Sequence, residues 1–303
     1  MATFVGSDAT LAHRAAPAGR ARSFLRYVRR NPTLGVGLAI LAFLILFSTV
    51  GLVFINPQKD PYPLATPANR PPSLQYPLGT DAQGRNLLAV MIVGTQLTLR
   101  VGLLAGAIGM AVGTILAFVA AYYGGIADTI IKWIVDVMLT IPQFLILIVV
   151  ASTLKRTITV ETMALIIASL AWVGPTRVIR AQVLSLRERP FVMMARLSGM
   201  SGPEIIIREL MPNLIPFLLA SFVGAVTAAV YTAMGLELLG LGSQREPTLG
   251  MTIFWVLRYS AMLRGLWWWW VEPVVIIVLL VVGLALVSFG MDEWANPRRR
   301  RVA

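Results

Sequence analysis

The chain has 303 residues, of which 57% are hydrophobic and 13% are charged. Soluble domains carry about 25% charged residues, so this composition argues against a soluble enzyme or binding domain. Cysteine is absent, which excludes disulfides and thiolate metal sites within the chain. The net charge of +12 comes almost entirely from arginine, grouped between apolar runs. That distribution indicates membrane topology, and we expect no nucleic-acid partner.

Six apolar segments are long enough to be candidate transmembrane helices. The first follows an arginine-rich tail ending at Pro32 and runs without a charge from Thr33 to Asn56. We find no small-residue cleavage site after a short apolar region, so we expect an uncleaved helix rather than a secretory signal. The sequence thus predicts an all-α, polytopic protein of the cell membrane with about six transmembrane helices. The other predicted spans are Val101–Tyr123, Trp133–Thr153, Thr162–Val178, Leu214–Leu236 and Pro273–Phe289.

The distribution of Lys and Arg predicts the orientation in the membrane. Six spans place both termini on one side, and most of the 26 cationic residues lie in the tails or in connections on that side. Because cytoplasmic loops are enriched in Lys and Arg, both termini are predicted to be cytoplasmic. The predicted organisation is a basic tail (1–32), a membrane domain (33–290) and a second basic tail (291–303). Within the membrane domain we expect outer loops at 56–97 and 237–270 and a cytoplasmic segment at 184–213.

The cytoplasmic segment contains two helical stretches separated by glycine. Pro203 and Glu204 suit the first turn of the second helix, since proline is tolerated there and an acid is favourable near the positive helix end. We therefore predict a compact helix–turn–helix hairpin outside the bilayer; the alternative is a solvated loop. Four side chains of the first helix fall at i, i+3, i+4 and i+7 and form a face that can dock into a groove on a partner: Phe191, Met194, Ala195 and Ser198.

This segment resembles the cytoplasmic "EAA" loop of ABC importer permeases, which carries Glu-Ala-Ala, a glycine after three further residues, and a later proline. Here Met193 stands at the position of the glutamate and Met194 at that of the first alanine, while the rest of the pattern is kept. The resemblance implies a coupling helix around 189–198 that is seated in a cleft of an ATPase. The residues to which it assigns this contact are Arg189, Phe191, Met194, Ala195, Ser198, Gly199 and Pro212.

Other elements resemble one subfamily, the second ("C") permease of dipeptide and oligopeptide importers. The stretch YPLGTDAQGRN at 76–86 is similar to the subfamily's outer-loop element HPLGTDxxGRD. Stretches beginning at Trp172, Leu239 and Asn296 are similar to later elements, in the same order. The proline-rich loop before this motif favours irregular chain, and a short interfacial helix is expected after Asp81. The motif residues in this chain are Gly79, Thr80, Asp81, Gly84 and Arg85.

The resemblance also implies partners and a type I ABC importer permease fold. The sequence has no GxxxxGK[ST] phosphate-binding motif, so ATP and Mg are expected on partner chains, with no cofactor or catalytic site on this one. The implied partners are a homologous second permease, two cytoplasmic ATPases and an extracytoplasmic substrate-binding protein. Di- or oligopeptides are the first expectation for the solute; oligosaccharides, nickel complexes and glutathione are alternatives. An ion-coupled secondary transporter or channel is the competing class.

Four residues are candidates for the solute pathway or outer gate. Asp136 and Glu237 are acids within or near predicted spans, where a charge is costly and is usually functional or paired. Asp136 follows Lys132 at i, i+4, so an ion pair is the alternative interpretation. For Glu237 the alternative is an acid that snorkels to the membrane interface. Trp267 and Trp268 belong to a run of four tryptophans before the last span, and they either anchor the chain at the membrane interface or stack on solute.

Overall fold

The structure is a computed structural model that describes residues 27–154 and 158–295. Within these ranges the regular structure is helical, apart from a bridge between Thr80 and Asn86. The predicted tails up to residue 26 and from 296 lie outside the described residues. The helices are α1 (Pro32–Val50), α2 (Leu87–Phe118), α3 (Gly125–Thr140), α4 (Gln143–Thr153), α5 (Val160–Ala171), α6 (Val173–Arg187), α7 (Pro190–Leu197), α8 (Gly202–Ile205), α9 (Met211–Leu238), α10 (Leu249–Arg258) and α11 (Trp267–Ala295).

Four continuous helical stretches in the described residues are long and apolar enough to cross a bilayer. They are α1 with its 3₁₀ extension to Phe54, α2 with its π-helical extension to Tyr123, the stretch Gly202–Leu238, and α11. The pairs α3–α4 and α5–α6 pass the same test together but are bent by 82° and 42°. Counting each bent pair as one span gives six, which confirms the prediction of a polytopic helical protein.

Prolines explain both bends. Ile141, which precedes Pro142, is extended with φ −93° and ψ 129°, because a residue before proline is disfavoured in the helical region. The second bend lies at Trp172, three residues before Pro175, whose ring would clash with the carbonyl of Ala171 in a continuous helix. Pro216 lies inside α9 without interrupting it.

Helix α2 is the centre of the bundle and contacts α1, α5, α6, α9, α10 and α11. Its glycines allow close approach. A Cβ on Gly106 would lie 2.8 Å from the Cα of Val226 in α9, and one on Gly109 would lie 2.6 Å from the Cβ of Ala171 in α5. Because side chains at these positions would hold the helices apart, the glycines set the spacing of the core.

The bundle has two dissimilar ends. We call the end carrying α7 and α8 the hairpin end, and the end carrying the connections 55–86 and 239–266 the loop end. At the hairpin end, Asn31 caps α1 by accepting from the N–H of Leu34 and donates to Glu293 of α11 at 2.5 Å. A second bond runs from the hydroxyl of Tyr27 to the carbonyl of Gly290. The first and last helices are therefore joined at this end.

Three predicted boundaries differ from the structure. Helix α2 begins at Leu87, capped by Asn86, so the outer loop ends well before residue 97 and no separate interfacial helix precedes the span. Helix α11 begins at Trp267 rather than Pro273, and it includes residues 291–295 of the predicted tail. Hydropathy marks the stretch suited to lipid, whereas helices continue beyond it wherever caps and packing allow.

Replacing Gly106 by alanine is expected to destabilise the α2–α9 contact. The added methyl must displace the helix backbone at Val226, and overpacking of this kind costs about 1–3 kcal/mol. Gly224→Ala in α9 is the matched control, because a Cβ there meets no atom within 4 Å of the described chain. Thermal unfolding of the purified protein in detergent should show a lower midpoint for Gly106→Ala only. Equal midpoints for the two variants would contradict this packing.

Candidate functional site

A helix–turn–helix hairpin forms at the predicted position. Helix α7 ends at Leu197, and Gly199 adopts φ +78°, the left-handed conformation that glycine favours. The N–H of Met200 donates to the carbonyl of Ala195 at 3.2 Å, and the N–H of Gly199 donates to that of Arg196 at 3.0 Å. This pair of bonds is a Schellman motif, which satisfies the carbonyls at the end of α7 before α8 begins at Gly202.

The hairpin packs on the ends of the spans instead of standing free in solvent. Val192 and Ala195 of α7 are buried, together with Ile205 and Leu210 on the second arm. They belong to one apolar cluster with residues of α2, α6 and α9, which we call the hairpin seat: Ala117, Phe118, Ala121, Ile179, Val183 and Leu214. The alternative of a solvated loop is therefore wrong.

The face of α7 that points outward is shifted from the predicted one. Met193, Met194 and Leu197 are 64%, 62% and 77% exposed. Ala195 is buried and Phe191 packs against the hairpin seat, so the prediction that these two residues form the docking face is wrong. Val192 and Ala195 are the residues of α7 that face inward. The outward residues therefore form an exposed apolar patch of the kind that marks interaction sites. Arg189 and Ser198 are exposed beside it.

Polar contacts fix the hairpin to the end of α2. The Arg187 guanidinium donates to the carbonyls of Ala121 at 2.9 Å and Tyr122 at 3.3 Å. The guanidinium of Arg196 lies 5.6 Å from the centre of the Tyr122 ring, within the range of a cation–π contact. These bonds occupy carbonyls that the end of a helix leaves without intrahelical partners.

Pro212 shapes the junction between the hairpin and α9. The segment Ile206–Leu210 is π-helical, and the N–H of Met211 bonds back to the carbonyl of Ile206. Pro212 has no N–H and crowds the preceding turn, so a wide turn is favourable just before it. Pro212 therefore influences the angle at which α9 enters the bundle.

The outer-loop motif forms a buried polar core at the loop end. Asp81 and Arg85 make an ion pair at 2.5 Å with side chains 0% and 5% exposed. The other carboxylate oxygen of Asp81 accepts from the N–H groups of Gln83 and Arg85, both at 2.9 Å. The Thr80 hydroxyl donates to the carbonyl of Pro67 and accepts from the N–H of Arg70. The motif thus folds the proline-rich loop onto the start of α2.

Both motif glycines are required by backbone geometry. Gly79 and Gly84 have φ of +75° and +73°. A Cβ on Gly79 would lie 2.7 Å from the carbonyl of Arg70 and 2.8 Å from the Trp268 ring, and one on Gly84 would meet the carbonyl of Thr66. Side chains at these positions would force the loop apart.

The tryptophan run is mostly part of this folded loop. Trp269 is fully buried, and Trp268, 9% exposed, donates from Nε1 to the carbonyl of Thr80 at 3.3 Å. This burial contradicts the prediction that Trp268 belongs to an open gate. Trp267 is 55% exposed and stays available for membrane or solute.

Glu237 lies inside the protein. It is 2% exposed at the end of α9, and its carboxyl faces the Thr248 hydroxyl and the N–H groups of Gly250 and Met251 at the start of α10. Its Oε2 has no aligned hydrogen-bond partner in the described part of the chain. Since helix N-termini favour acidic groups, Glu237 positions α10. Its enclosure contradicts the prediction that it lines an open solute pathway.

Asp136 does face an open cleft, but without the expected partner. Asp136 and Lys132 are both exposed and form no salt bridge with each other. The ion pair of this region joins Asp128 of α3 to Arg180 of α6 through two bonds of 2.5 and 2.6 Å. Local sequence patterns do not predict this pair because its partners are 52 positions apart. The i, i+4, i+8 spacing of Asp128, Lys132 and Asp136 is the one signal of a charged stripe.

Comparison with known proteins gives consistent matches. Residues 109–301 match the family described as binding-protein-dependent transport system inner membrane component. The chain is 32% identical over 226 residues to the dipeptide transport system permease protein DppC of Alkalihalophilus pseudofirmus, covering 74% of this chain and 72% of that protein. The corresponding Bacillus subtilis protein is 31% identical over 219 residues, covering 72% and 68%.

A shorter match is to a mycobacterial protein. The oligopeptide transport system permease protein OppC of Mycobacterium tuberculosis is 31% identical over 175 residues. This match covers 58% of the present chain and 60% of the mycobacterial protein, which is less than two thirds of its length.

Removing the buried acid of the outer loop should be far more costly than removing an exposed one. Asp81→Ala leaves Arg85 buried and unpaired, which is expected to cost about 3–5 kcal/mol of unfolding free energy. Glu161→Gln is the control, since its pair with Arg100 at 2.7 Å is about half exposed and is worth about 0–1 kcal/mol. Tryptic cleavage after Lys59 and Arg85, measured over time, should accelerate in Asp81→Ala only. Equal cleavage rates in both variants would contradict the buried core.

Proposed function

The chain belongs to the family of binding-protein-dependent transport system inner membrane components, and from this premise we propose that it is the permease subunit of an ATP-driven importer. The observation that carries the proposal is the hairpin, which is anchored on the spans and exposes an apolar face. The similar proteins are named as dipeptide and oligopeptide permeases, and these names support di- or oligopeptides as solutes. The chain would form half of the translocation pathway beside a homologous second permease.

In the proposed mechanism α7 docks into a cleft of a cytoplasmic ATPase. Its outward residues, Met193, Met194 and Leu197, offer mainly apolar surface. Burying a side chain of this size contributes about 1.5–3 kcal/mol, so the three residues supply a substantial apolar contribution to the contact. Flexible methionines fit an imperfect groove well. The methionine at the usual glutamate position therefore supports docking through shape and apolar contact.

The hairpin seat would transmit the movement of the ATPase. Close-packed side chains deform little, so a displacement of α7 carries the ends of α2, α6 and α9 with it. Nucleotide-driven closure of two ATPases would then switch the spans between inward-facing and outward-facing arrangements. ATP and Mg would bind to those partner chains, and this chain would contribute no catalytic group.

We place the hairpin end in the cytoplasm and the loop end outside. The hairpin region carries Arg187, Arg189, Arg196 and Arg208, in agreement with the enrichment of cations in cytoplasmic segments. With this orientation both termini are cytoplasmic. The folded loop built on the Asp81–Arg85 pair would face the extracytoplasmic substrate-binding protein.

A charge on the outward face of α7 should uncouple the transporter. In Met194→Glu the carboxylate would be buried against apolar groups of the ATPase, so we expect at least a tenfold loss of uptake with normal membrane insertion. Ser185→Glu, at an exposed position of α6, is the control. The measurement is ATPase activity and peptide uptake by the reconstituted complex. Wild-type uptake by Met194→Glu would remove the coupling role.

The turn after α7 allows a second test of coupling, in which two substitutions at the same residue, Gly199, are compared. Gly199 needs a left-handed conformation, and a Cβ there meets no atom of the described chain, so backbone strain is the dominant cost. Gly199→Val should lose about 1–2 kcal/mol and displace α7, whereas Gly199→Asn tolerates the conformation. Uptake per ATP hydrolysed should fall in the valine variant and be retained in the asparagine variant. Identical coupling in both would show that the turn geometry is not needed.

A further inference from the structure

Helix α3 separates charged and apolar residues onto two stripes. Asp128, Lys132 and Asp136 fall at i, i+4 and i+8 on the side facing α6. A second stripe of exposed apolar residues runs along another side of the helix and is formed by Ile126, Ile130 and Val137, while Trp133 borders both stripes. The apolar stripe is suited to contact with lipid. The charged stripe is expected to face other protein groups or water.

Helix α6 supplies the facing charges. Arg180 is held by Asp128 in a two-bond ion pair. Arg177, one turn away, is exposed and has no ion-pair partner among the described residues. Lys132 and Asp136 likewise form no salt bridge within that part of the chain, although Lys132 acts electrostatically on Asp128 and Asp136 on Arg180. The cleft therefore presents two cations and one acid that are not held in a salt bridge among the described residues.

Arg177 lies within a helix pair that is long and apolar enough to cross a bilayer, α5–α6. It is ten residues before Arg187 on α6, which is about 15 Å along the helix axis at 1.5 Å per residue. A charged side chain within a spanning segment is expected to face protein or a water-filled cavity.

A cavity occupies the space between the charges. A volume of about 280 Å³ is lined by residues that include Lys132, Asp136 and Arg177. An adjoining volume of about 390 Å³ shares Lys132, Asp136 and Arg180 with it and also reaches Asp128. Each is close to the lower end of ligand-pocket volumes, about 300 Å³, which is enough for the charged end of a small solute.

We propose that the cleft between α3 and α6 is a water-filled site on the solute pathway, where Lys132 and Arg177 bind the carboxylate and Asp136 binds the ammonium group of a zwitterionic solute. The assignment rests on the proposed importer function. The Asp128–Arg180 ion pair holds α3 and α6 in position across the cleft. Because Asp128 and Arg180 bond each other, neither is available to bind solute. Charge complementarity favours a zwitterion over a simple cation or anion, because positively and negatively charged side chains line the same cavity.

Water access to the cleft can be measured directly because the chain has no cysteine. In the reconstituted complex, Asp136→Cys and Arg177→Cys should react with a charged, membrane-impermeant methanethiosulfonate added from the hairpin side, read as a mass shift on this chain. Ile130→Cys, on the apolar stripe, is the control and should react only with an apolar maleimide. Protection of both cleft cysteines in the nucleotide-free and ATP-trapped states would overturn the proposal, since lipid or a second chain would then fill the cleft.

Solute binding is tested by conservative and neutral substitutions. Arg177→Gln should raise the KM for dialanine uptake roughly tenfold, the loss expected for a charge-assisted hydrogen bond, with binding-protein-stimulated ATPase activity retained. Arg177→Lys keeps the charge and should restore most of the KM. An unchanged KM in Arg177→Gln would overturn the role in solute binding. A wild-type complex that imports no peptide would instead contradict the assignment of a peptide solute, while the labelling result would still decide whether the cleft contains water.

Discussion

The burial of one side of a short helix against the ends of three spans is the contact on which the proposed mechanism depends. Val192 and Ala195 insert α7 into the hairpin seat, and this leaves Met193, Met194 and Leu197 on the outside. A helix of eight residues is too short to be stable alone. Tertiary packing therefore both forms α7 and decides which of its residues a partner can reach.

The two ends of the bundle are built on different physical principles around the same helix. At the hairpin end, apolar packing and bonds to the last carbonyls of α2 hold a surface that is suited to move as a unit. At the loop end, a buried ion pair, two left-handed glycines and Trp268 fold the proline-rich connection onto the start of α2. Helix α2 thus links a folded outer structure to the hairpin, and its glycines let the other spans pack closely.

The sequence predicted features that depend on local rules. Apolar runs identified the spans, and Gly199 with Pro203 predicted the hairpin. The predicted docking face of α7 was wrong. Helical spacing shows which residues share a side of the helix, but it does not say which side packs against the protein. The burial of Glu237 and Trp268 could not be predicted either. It is produced by α10 and by the outer loop, whose positions relative to these residues are set by tertiary packing. The Asp128–Arg180 pair depends on the packing of two bent spans, which no short pattern contains.

The central claim is that the hairpin and the end of α2 move as one body. Spin labels on cysteines introduced at Met194 and Tyr123, both exposed, would report the distance between α7 and α2 in the assembled complex. Double electron–electron resonance should give the same distance distribution in the nucleotide-free and ATP-trapped states. A shift between the two states would contradict the account, because α7 would then move without carrying the spans.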